Sequence, residues 1–444
     1  MAKNARRVSA DILYNVYKNG AYLNEELKSV RKIEELSQND MRFVTELTMG
    51  VIKNKLRIDY IISKNINIKL KKVSLYILAI MECAVYQILY MDKVPHSAAV
   101  NEGVKLTKTR KLNKSTAFVN AVLRNILKNI NAIEYPKDKT EYLSVYYSFP
   151  LWLVQKWEKD FGINRLEAII KSLSEKADLY FRVNTLKTDA KSLALSLKNS
   201  GCEVSEHNNK DFPSVDYMLL CNSVNDIQSL KEFNEGLFYV QDFAASLTVE
   251  VLDVKPGMTV ADMCAAPGGK TTHIAEKMNN NGKIYAFDMF EHKINKINEN
   301  AKRLGIDIIK ASVADSSVNI PDLNGICDRV LVDAPCSGLG IIRRKPDIKY
   351  ARSIDDLEQL SKISYSILDN AKNYLKKGGI MVFSTCTIEM CENDGVVNEF
   401  LKNNKKFKKQ IINCNKQNDG SITLYPDLDM CDGFYICKLI KVED

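Results

Sequence analysis

Two cysteines and one carboxylate supply the residue types for covalent chemistry. The run Asp328-Arg-Val-Leu-Val-Asp-Ala-Pro-Cys-Ser-Gly-Leu-Gly340 reads as a buried strand ending at Asp333, with Pro335 and Cys336 in a glycine-rich loop behind it. Gly379-Ile-Met-Val-Phe-Ser-Thr-Cys-Thr387 reads as a second buried strand, ending at Cys386. A single strand-end cysteine is most simply a small buried hydrophobe. Two of them beside a carboxylate argue for chemistry if a co-substrate site lies at the same sheet edge.

Such a site is legible further up the chain. The strand 259–263 runs into Cys264-Ala265-Ala266-Pro267-Gly268-Gly269-Lys270, and a helix starts near Lys270. Gly268 and Gly269 have no Cβ, so the turn can tighten and a ligand can approach the main chain. The helix N-terminus behind them offers unpaired N–H groups. The spacing is neither the dinucleotide fingerprint nor a P-loop, since nothing between Pro267 and Lys270 can wrap a phosphate. Asp288, 20 residues past Gly268, closes the next strand, where a carboxylate would hold a ribose diol. Asp315 follows the third strand, where an adenine amino group would lie. An adenosine-like ligand without a phosphate cradle fits S-adenosylmethionine. An ordinary tight βα turn would carry the same two glycines; Asp288 favours the cofactor site.

Two thiols, a carboxylate and a methyl donor make a coherent set. Carbon 5 of a pyrimidine is a poor nucleophile towards a sulfonium methyl. A thiolate added to carbon 6 generates an enamine-like intermediate that is nucleophilic at carbon 5. After methyl transfer the carbon 5 proton must leave before the thiolate is expelled. Asp333 at the N3/N4 edge of the base would stabilise the charge that develops. Either Cys336 or Cys386 would serve as the nucleophile if nearby positive charge lowered its pKa, and Lys270, Arg343 and Arg344 are the candidate cations.

The elements that must position these residues fall into three domains. Residues 1–130 are helical throughout. Ser9 is expected to open a helix stopped by Gly20, and Ser37-Gln-Asn-Asp40 a second one. Val73–Met91 reads as a buried helix, with further helices over 97–108 and 115–129. His96 follows a proline at a helix start and reads as a cap or packing residue. Residues 131–140 are polar, contain Pro136 and read as a linker. Residues 145–232 form a small α+β segment, with Trp152 and Trp157 as core anchors. Its strand Tyr180–Leu186 projects Arg182 and Asn184 from one face, to meet RNA backbone or to cap a sheet edge. Residues 233–444 alternate strand and helix, with strands near 259, 284, 308, 330 and 381: an open, mostly parallel, Rossmann-like α/β sheet. Two late strands, 421–425 and 434–440, are expected to pair antiparallel at one edge. Cys264, Asp288, Asp315, Asp333, Cys336 and Cys386 all fall at strand carboxyl ends, where ligands bind in such sheets.

Composition narrows the partners. A chain of 444 residues is too long for one core. Residues 1–141 hold 25 Lys and Arg against 14 Asp and Glu, a charge of +11 in a chain of net +8. That asymmetry suits a polyanion-binding appendage, although a solvated lysine-rich face gives the same count. Eleven irregularly spaced cysteines with no CxxC pair argue against a disulfide framework or metal site and for a reducing cytoplasm. With no apolar run behind Met-Ala-Lys-Asn-Ala-Arg-Arg7, no signal peptide is expected. The most apolar stretch contains Ser74, Glu82 and Gln87, so no membrane span is expected.

Asp262-Met-Cys-Ala-Ala-Pro-Gly-Gly-Lys-Thr271, Asp333-Ala-Pro-Cys-Ser-Gly338 and Ser384-Thr-Cys-Thr387 together resemble the RNA 5-methylcytosine methyltransferases of the NOL1/NOP2/Sun family. Met263 stands where leucine is commoner. Val94-Pro-His-Ser-Ala-Ala-Val-Asn-Glu102 and Phe118-Val-Asn-Ala-Val-Leu-Arg124 resemble the NusB-like first domain of its bacterial RsmB (Sun/Fmu) branch. Phe181-Arg-Val-Asn-Thr185, Ile342-Arg-Arg-Lys-Pro-Asp-Ile-Lys349 and Asp432-Gly-Phe-Tyr-Ile-Cys-Lys-Leu439 match that branch too. The resemblance implies S-adenosylmethionine-dependent methylation of a cytosine in 16S ribosomal RNA, at the branch's cytosine 967 site. It implies Cys386 as nucleophile and Cys336 as the residue that releases product. It places cofactor contacts at Cys264, Ala265, Ala266, Pro267, Gly268, Gly269, Lys270, Asp288, Asp315 and Asp333. A transfer RNA substrate would use the same chemistry, but the NusB-like domain favours ribosomal RNA. A non-catalytic assembly factor would be expected to lose Cys336, Cys386 or Asp333. DNA is disfavoured because no separate target-recognition insertion lies between the motifs.

Overall fold

The computed structural model describes residues 4–33, 36–109, 112–207, 209–224 and 226–443. The chain forms two compact units: residues 1–175 with 344–351, and residues 176–343 with 352–444.

The first unit is all-helical: α1 (Ala5–Asn19), α2 (Leu23–Ile33), α3 (Gln38–Lys53), α4 (Lys55–Lys64), α5 (Leu75–Tyr90), α6 (His96–Thr109), α7 (Thr116–Asn129), α8 (Lys139–Tyr146), α9 (Leu151–Phe161) and α10 (Ile163–Leu173). Ser9 does not open the first helix. Asn4 does, its side chain accepting from the N–H groups of Arg6 and Arg7, while the Ser9 hydroxyl bonds back to Ala5 inside α1. Asn at the cap outcompetes a serine one turn later because its oxygen reaches N–H groups the helix itself leaves unpaired. Ser37 caps α3 as its sequence suggests, accepting from Asp40 N–H at 3.1 Å. Helix α5 is buried on almost every side, so it is the centre of this core rather than a membrane segment. Among the described residues no helix is long and apolar enough to cross a membrane. The stretch read as a linker ends in structure, with Asp138 capping α8 through Glu141 N–H. Trp157 is fully buried against Phe149.

Helix α5 also carries a buried charge. Glu82, with no exposure, receives Lys55 Nζ at 2.8 Å and the Tyr17 hydroxyl at 2.7 Å, and Lys55 bonds Asp59 as well. The segment 344–351 is threaded into this unit from the distant second half of the chain. Asp347 accepts from Leu23 N–H, Lys349 Nζ donates to Lys53 carbonyl, and Tyr350 hydroxyl donates to Ser148 carbonyl.

The second unit holds two sheets. In the first, β1 (Leu179–Val183), β2 (Glu203–Glu206), β3 (Met218–Ser223) and β4 (Phe238–Val240) run antiparallel in the order β2-β3-β1-β4, with α11 (Ala190–Asn199) and α12 (Lys231–Asn234) between them. Arg182 and Asn184 do not face RNA or cap an edge. Both are fully buried. Asn184 donates to the carbonyls of Gly236 and Leu304, and Arg182 reaches the helix behind the glycine turn. Period two put them correctly on one face, but that face packs on the next layer instead of solvent.

The larger sheet is entered through α13 (Phe243–Leu252). It comprises β5 (Thr259–Asp262), α14 (Gly269–Lys277), β6 (Lys283–Asp288), α15 (Glu291–Leu304), β7 (Ile309–Val313) and β8 (Cys327–Asp333). After the threaded segment, which ends in α16 (Ile348–Ala351), come α17 (Ile354–Ala371), β9 (Leu375–Thr385), α18 (Asp394–Asn403), β10 (Phe407–Lys409), β11 (Ser421–Leu424), α19 (Pro426–Asp429) and β12 (Phe434–Lys441). The order is β10-β12-β9-β8-β5-β6-β7, with β11 also on β12. Strands β5 to β9 are parallel, and β12 lies antiparallel to β9. The chain winds outward through β5, β6 and β7, then returns to lay β8 and β9 on the other side of β5. That reversal opens a crevice beyond the ends of β5 and β8, the place where open α/β sheets bind ligands.

Candidate active site

Of the predicted residues, Cys264, Ala266, Asp288, Asp315 and Asp333 line a cleft at these strand ends. Asp262 ends β5, Asp288 ends β6, Asp333 ends β8, and Cys386 directly follows β9. Small-molecule sites commonly measure about 300 to 1000 Å³; the cleft here measures about 500 Å³. Its lining combines polar Asp288, Asp315, Ser317 and Asp333 with apolar Met289, Phe290, Ile363 and Ile367, and includes Met263, Cys264 and Ala266. Three carboxylates in a slot with apolar lining suit the polar groups and the base of a nucleoside. Asp288 is held by Lys293 at 3.1 Å. Asp315 is exposed and its carboxylate accepts from Ser317 N–H and hydroxyl.

The glycine turn has a second reason for its sequence. Gly268 has φ +100°, in the left-handed region, and a Cβ there would sit 3.2 Å from the Ile297 Cα on α15. A Cβ on Gly269 would meet the Tyr239 ring at 3.0 Å. Both glycines therefore let neighbouring elements close on the turn. Ala265 N–H donates to Phe287 carbonyl and Gly268 N–H to Ala265 carbonyl, while the Pro267 carbonyl accepts from Asn300. These residues shape the turn, and Cys264 and Ala266 line the cleft. Burial, reinforced by the charges of Asp262, Asp333 and Asp288, pushes the Cys264 thiol well up.

Lys270 reaches the carboxylate that ends β8. Its ammonium donates to Asp333 at 2.7 Å and lies 5.1 Å from the Phe434 ring centroid. Burial works to strip its proton, but the charge and hydrogen bond of Asp333, with Cys386 adding, raise its pKa. Ser384 hydroxyl donates to the other Asp333 oxygen at 2.8 Å. The two sulfurs are 3.3 Å apart. The hydrogen bond to Cys386, then burial, pushes the Cys336 thiol well up. Either sulfur can donate in that contact, so the geometry pairs the two thiols without choosing between them. Arg343 is engaged elsewhere, donating to Asp432 at 3.1 Å.

Several supporting residues escaped the sequence reading. Glu392 accepts from Ser337 N–H at 2.7 Å and from its hydroxyl, which also bonds Thr387 at 3.0 Å, so one carboxylate braces the loops of both cysteines. Gly340 N–H donates to Cys386 carbonyl at 3.0 Å and Gly433 N–H to Gly340 carbonyl at 2.9 Å. A Cβ on Gly340 would lie 1.9 Å from the Gly433 oxygen, so only glycine fits. Glycine in each of two cysteine-adjacent motifs was the available signal. The brace by Glu392 had none, because its partners lie 55 residues away.

A parallel sheet with this crevice, and a carboxylate-lined nucleoside slot opening beside a thiol pair, define an S-adenosylmethionine-dependent methyltransferase. The 16S rRNA methyltransferase RsmB/F family profile matches residues 249–440, the RsmF/B-like ferredoxin-like domain 149–211 and the NusB family 3–128. The chain is 35% identical to the "Probable ribosomal RNA small subunit methyltransferase B" of Bacillus subtilis, covering 99% of both chains. It is 31% identical to the "Ribosomal RNA small subunit methyltransferase B" of Vibrio vulnificus, again over 99% of each. Among solved structures, that of PH0851 superposes with a TM-score of 0.83 at 26% identity, covering 99% of this chain and 100% of the other. NSun6 from Pyrococcus horikoshii, solved with SFG, gives 0.59 at 25% identity, over 70% of this chain and 99% of that one. The chain belongs to the RsmB/F family.

Proposed function

We propose that this chain methylates carbon 5 of a cytosine in 16S ribosomal RNA, at the position equivalent to cytosine 967, through a covalent adduct on Cys386. The observation that carries the reading is the 3.3 Å thiol pair beside the Lys270–Asp333 contact. The names of the full-length relatives support the ribosomal substrate. Cys264 to Lys270, with Asp288, Asp315 and Asp333, are the residues assigned to the cofactor, which supplies the sulfonium methyl when bound.

The residues divide the work as follows. Lys270 favours the thiolate form of Cys386, whose sulfur bonds to carbon 6. Electron density moves to carbon 5, which takes the methyl group. Asp333, fixed by Lys270 and Ser384, accepts from the N4 amino group and orients the base, while the Lys270 ammonium offsets the negative charge that builds on the ring. Cys336, as thiolate, takes the carbon 5 proton and passes it to solvent, the sulfur–carbon 6 bond breaks and the Cys386 thiolate returns. Carbon 5 is inaccessible within a stacked helix, so the substrate cytosine is looped out or flipped. Bisulfite mapping of 16S ribosomal RNA from cells with and without the gene tests the assignment. Loss of one protected cytosine, restored by the wild-type chain and not by Cys386→Ala, is expected. An unchanged ribosomal map with a lost transfer RNA signal would move the substrate.

A further inference from the structure

Arg182 stands outside the cleft, yet all its donors converge on the helix that follows the cofactor turn. Its Nε and Nη2 bond the two Glu276 oxygens at 2.9 and 2.8 Å. Nη2 also reaches the Thr272 hydroxyl at 3.0 Å, and Nη1 the Gly269 carbonyl at 2.6 Å and the Gln241 side-chain oxygen. The Tyr239 ring lies 5.1 Å from the guanidinium. Arg182 is fully buried and Glu276 is 2% exposed.

The helix α14 explains why this matters. At about 100° per residue, Gly269, Thr272 and Glu276 fall within about 60° of one another on its surface. Lys270 and Thr271 centre on the opposite side. Lys270 donates to Asp333, and Thr271 to Asp262 at 2.7 Å. One side of α14 is thus gripped by Arg182 while the other delivers a cation and a hydroxyl to the carboxylates that end β8 and β5. Burying an ion pair is a poor way to gain stability, since two charges lose their water. A bidentate pair that additionally binds a backbone carbonyl and a hydroxyl fixes orientation instead.

We propose that Arg182 is a positioning residue: it sets the rotation of α14, so that Lys270 meets Asp333 and the glycine turn keeps its shape for the cofactor. It acts through the helix and touches neither cofactor nor base. The smaller sheet, whose strand β1 carries Arg182, thereby takes part in methyl-donor binding.

The test uses the full-length enzyme. Arg182→Met with Glu276→Leu replaces the pair by apolar groups of similar size, which commonly preserves folding. We expect a cooperative melt and unchanged affinity for the RNA substrate. S-adenosylmethionine affinity by calorimetry should fall at least about tenfold and kcat should fall with it. Arg182→Lys, which cannot span the five acceptor atoms, should not rescue either reading. Simple loss of folded protein would lower the calorimetric stoichiometry and leave Kd and KM alone. Wild-type Kd and kcat in the double variant would overturn the proposal, as would a loss of RNA affinity at full cofactor affinity. If the double variant does not fold, Glu276→Gln is read instead. About a threefold rise in cofactor Kd is then expected, and an unchanged Kd with unchanged kcat would overturn the proposal equally. The wild-type enzyme, binding S-adenosylmethionine in the same assay, separates this outcome from failure of the cofactor assignment.

Discussion

In the all-helical unit Lys55 sits between Asp59 and Glu82, with Tyr17 donating to Glu82. At the crevice Lys270 holds Asp333, with Ser384 on the second carboxylate oxygen. Both are short contacts between an ammonium and a carboxylate, but they differ in what remains open. The Glu82 side chain has no exposure, whereas Asp333 keeps 27% and borders the cleft. The first network is closed and serves the fold. The second is half-built, with a charged edge facing space in which a base would lie. Burial and pairing alone do not distinguish a site from a core; an accessible remaining face does. Each variant below attacks one side of that contrast.

The largest effect is expected at the open end. Cys386→Ala should reduce methylation by about 10³-fold or more and leave no protein–RNA adduct. Cys336→Ala should still attack and methylate, then accumulate a methylated covalent complex that survives denaturing electrophoresis. Adduct from Cys386→Ala and none from Cys336→Ala would make Cys336 the nucleophile. Activity lost in both with no adduct from either would leave the thiols a structural pair.

At the closed end Lys55→Met should act on stability alone. It strands the buried Glu82 charge, which costs about 3–5 kcal/mol, read by denaturant melts. S-adenosylmethionine affinity in the folded fraction should not change. Lys270→Met should show the reverse, with activity lost and a smaller stability cost, because Lys270 and Asp333 are each partly exposed. Equal stability losses in the two would erase the distinction.

A smaller effect belongs to Asp288. Charge-assisted hydrogen bonds to a ribose diol contribute about 1.5–3 kcal/mol each, so Asp288→Ala should weaken cofactor binding at least about tenfold while the melt stays cooperative. Unchanged calorimetric affinity would remove Asp288 from the site.

The contrast also explains what the sequence made legible. Cys386, Cys336, Asp333 and the glycine turn announced themselves because each sits on a buried apolar strand interrupted by chemically unusual residues. Strand period and strand ends sufficed to place them at one sheet edge. Arg182 was assigned to the right face and given the wrong neighbour: period two tells which residues share a side, not what covers that side. Ser9 lost its capping role to Asn4 because several polar residues compete near a helix start and spacing ranks them poorly. Glu392 and the Gly340–Gly433 approach were invisible, since they depend on loops that meet only after the sheet forms.

Asp262 gives the finest test, because it lies on the open side yet is itself buried. It ends β5 under the cofactor turn, accepts from Thr271 at 2.7 Å and is 1% exposed. Burial pushes its carboxyl up from an ordinary 3.8 to about 7, against the Thr271 hydrogen bond and with help from the Asp333 charge. Between those pH values the folded chain holds a proton that the unfolded chain has released. Stability from this group is therefore complete below pH 4, declines as pH rises towards 7, and is flat above it. The slope is about 1.4 kcal/mol per pH unit in that window. Asp262→Asn resembles the protonated form at every pH. The stability of the asparagine variant relative to wild type should therefore grow from pH 5 to 7 and then level off. A difference that stays constant over that range would mean Asp262 is ionised in the folded protein, and that the turn tolerates a second full charge beside Asp333.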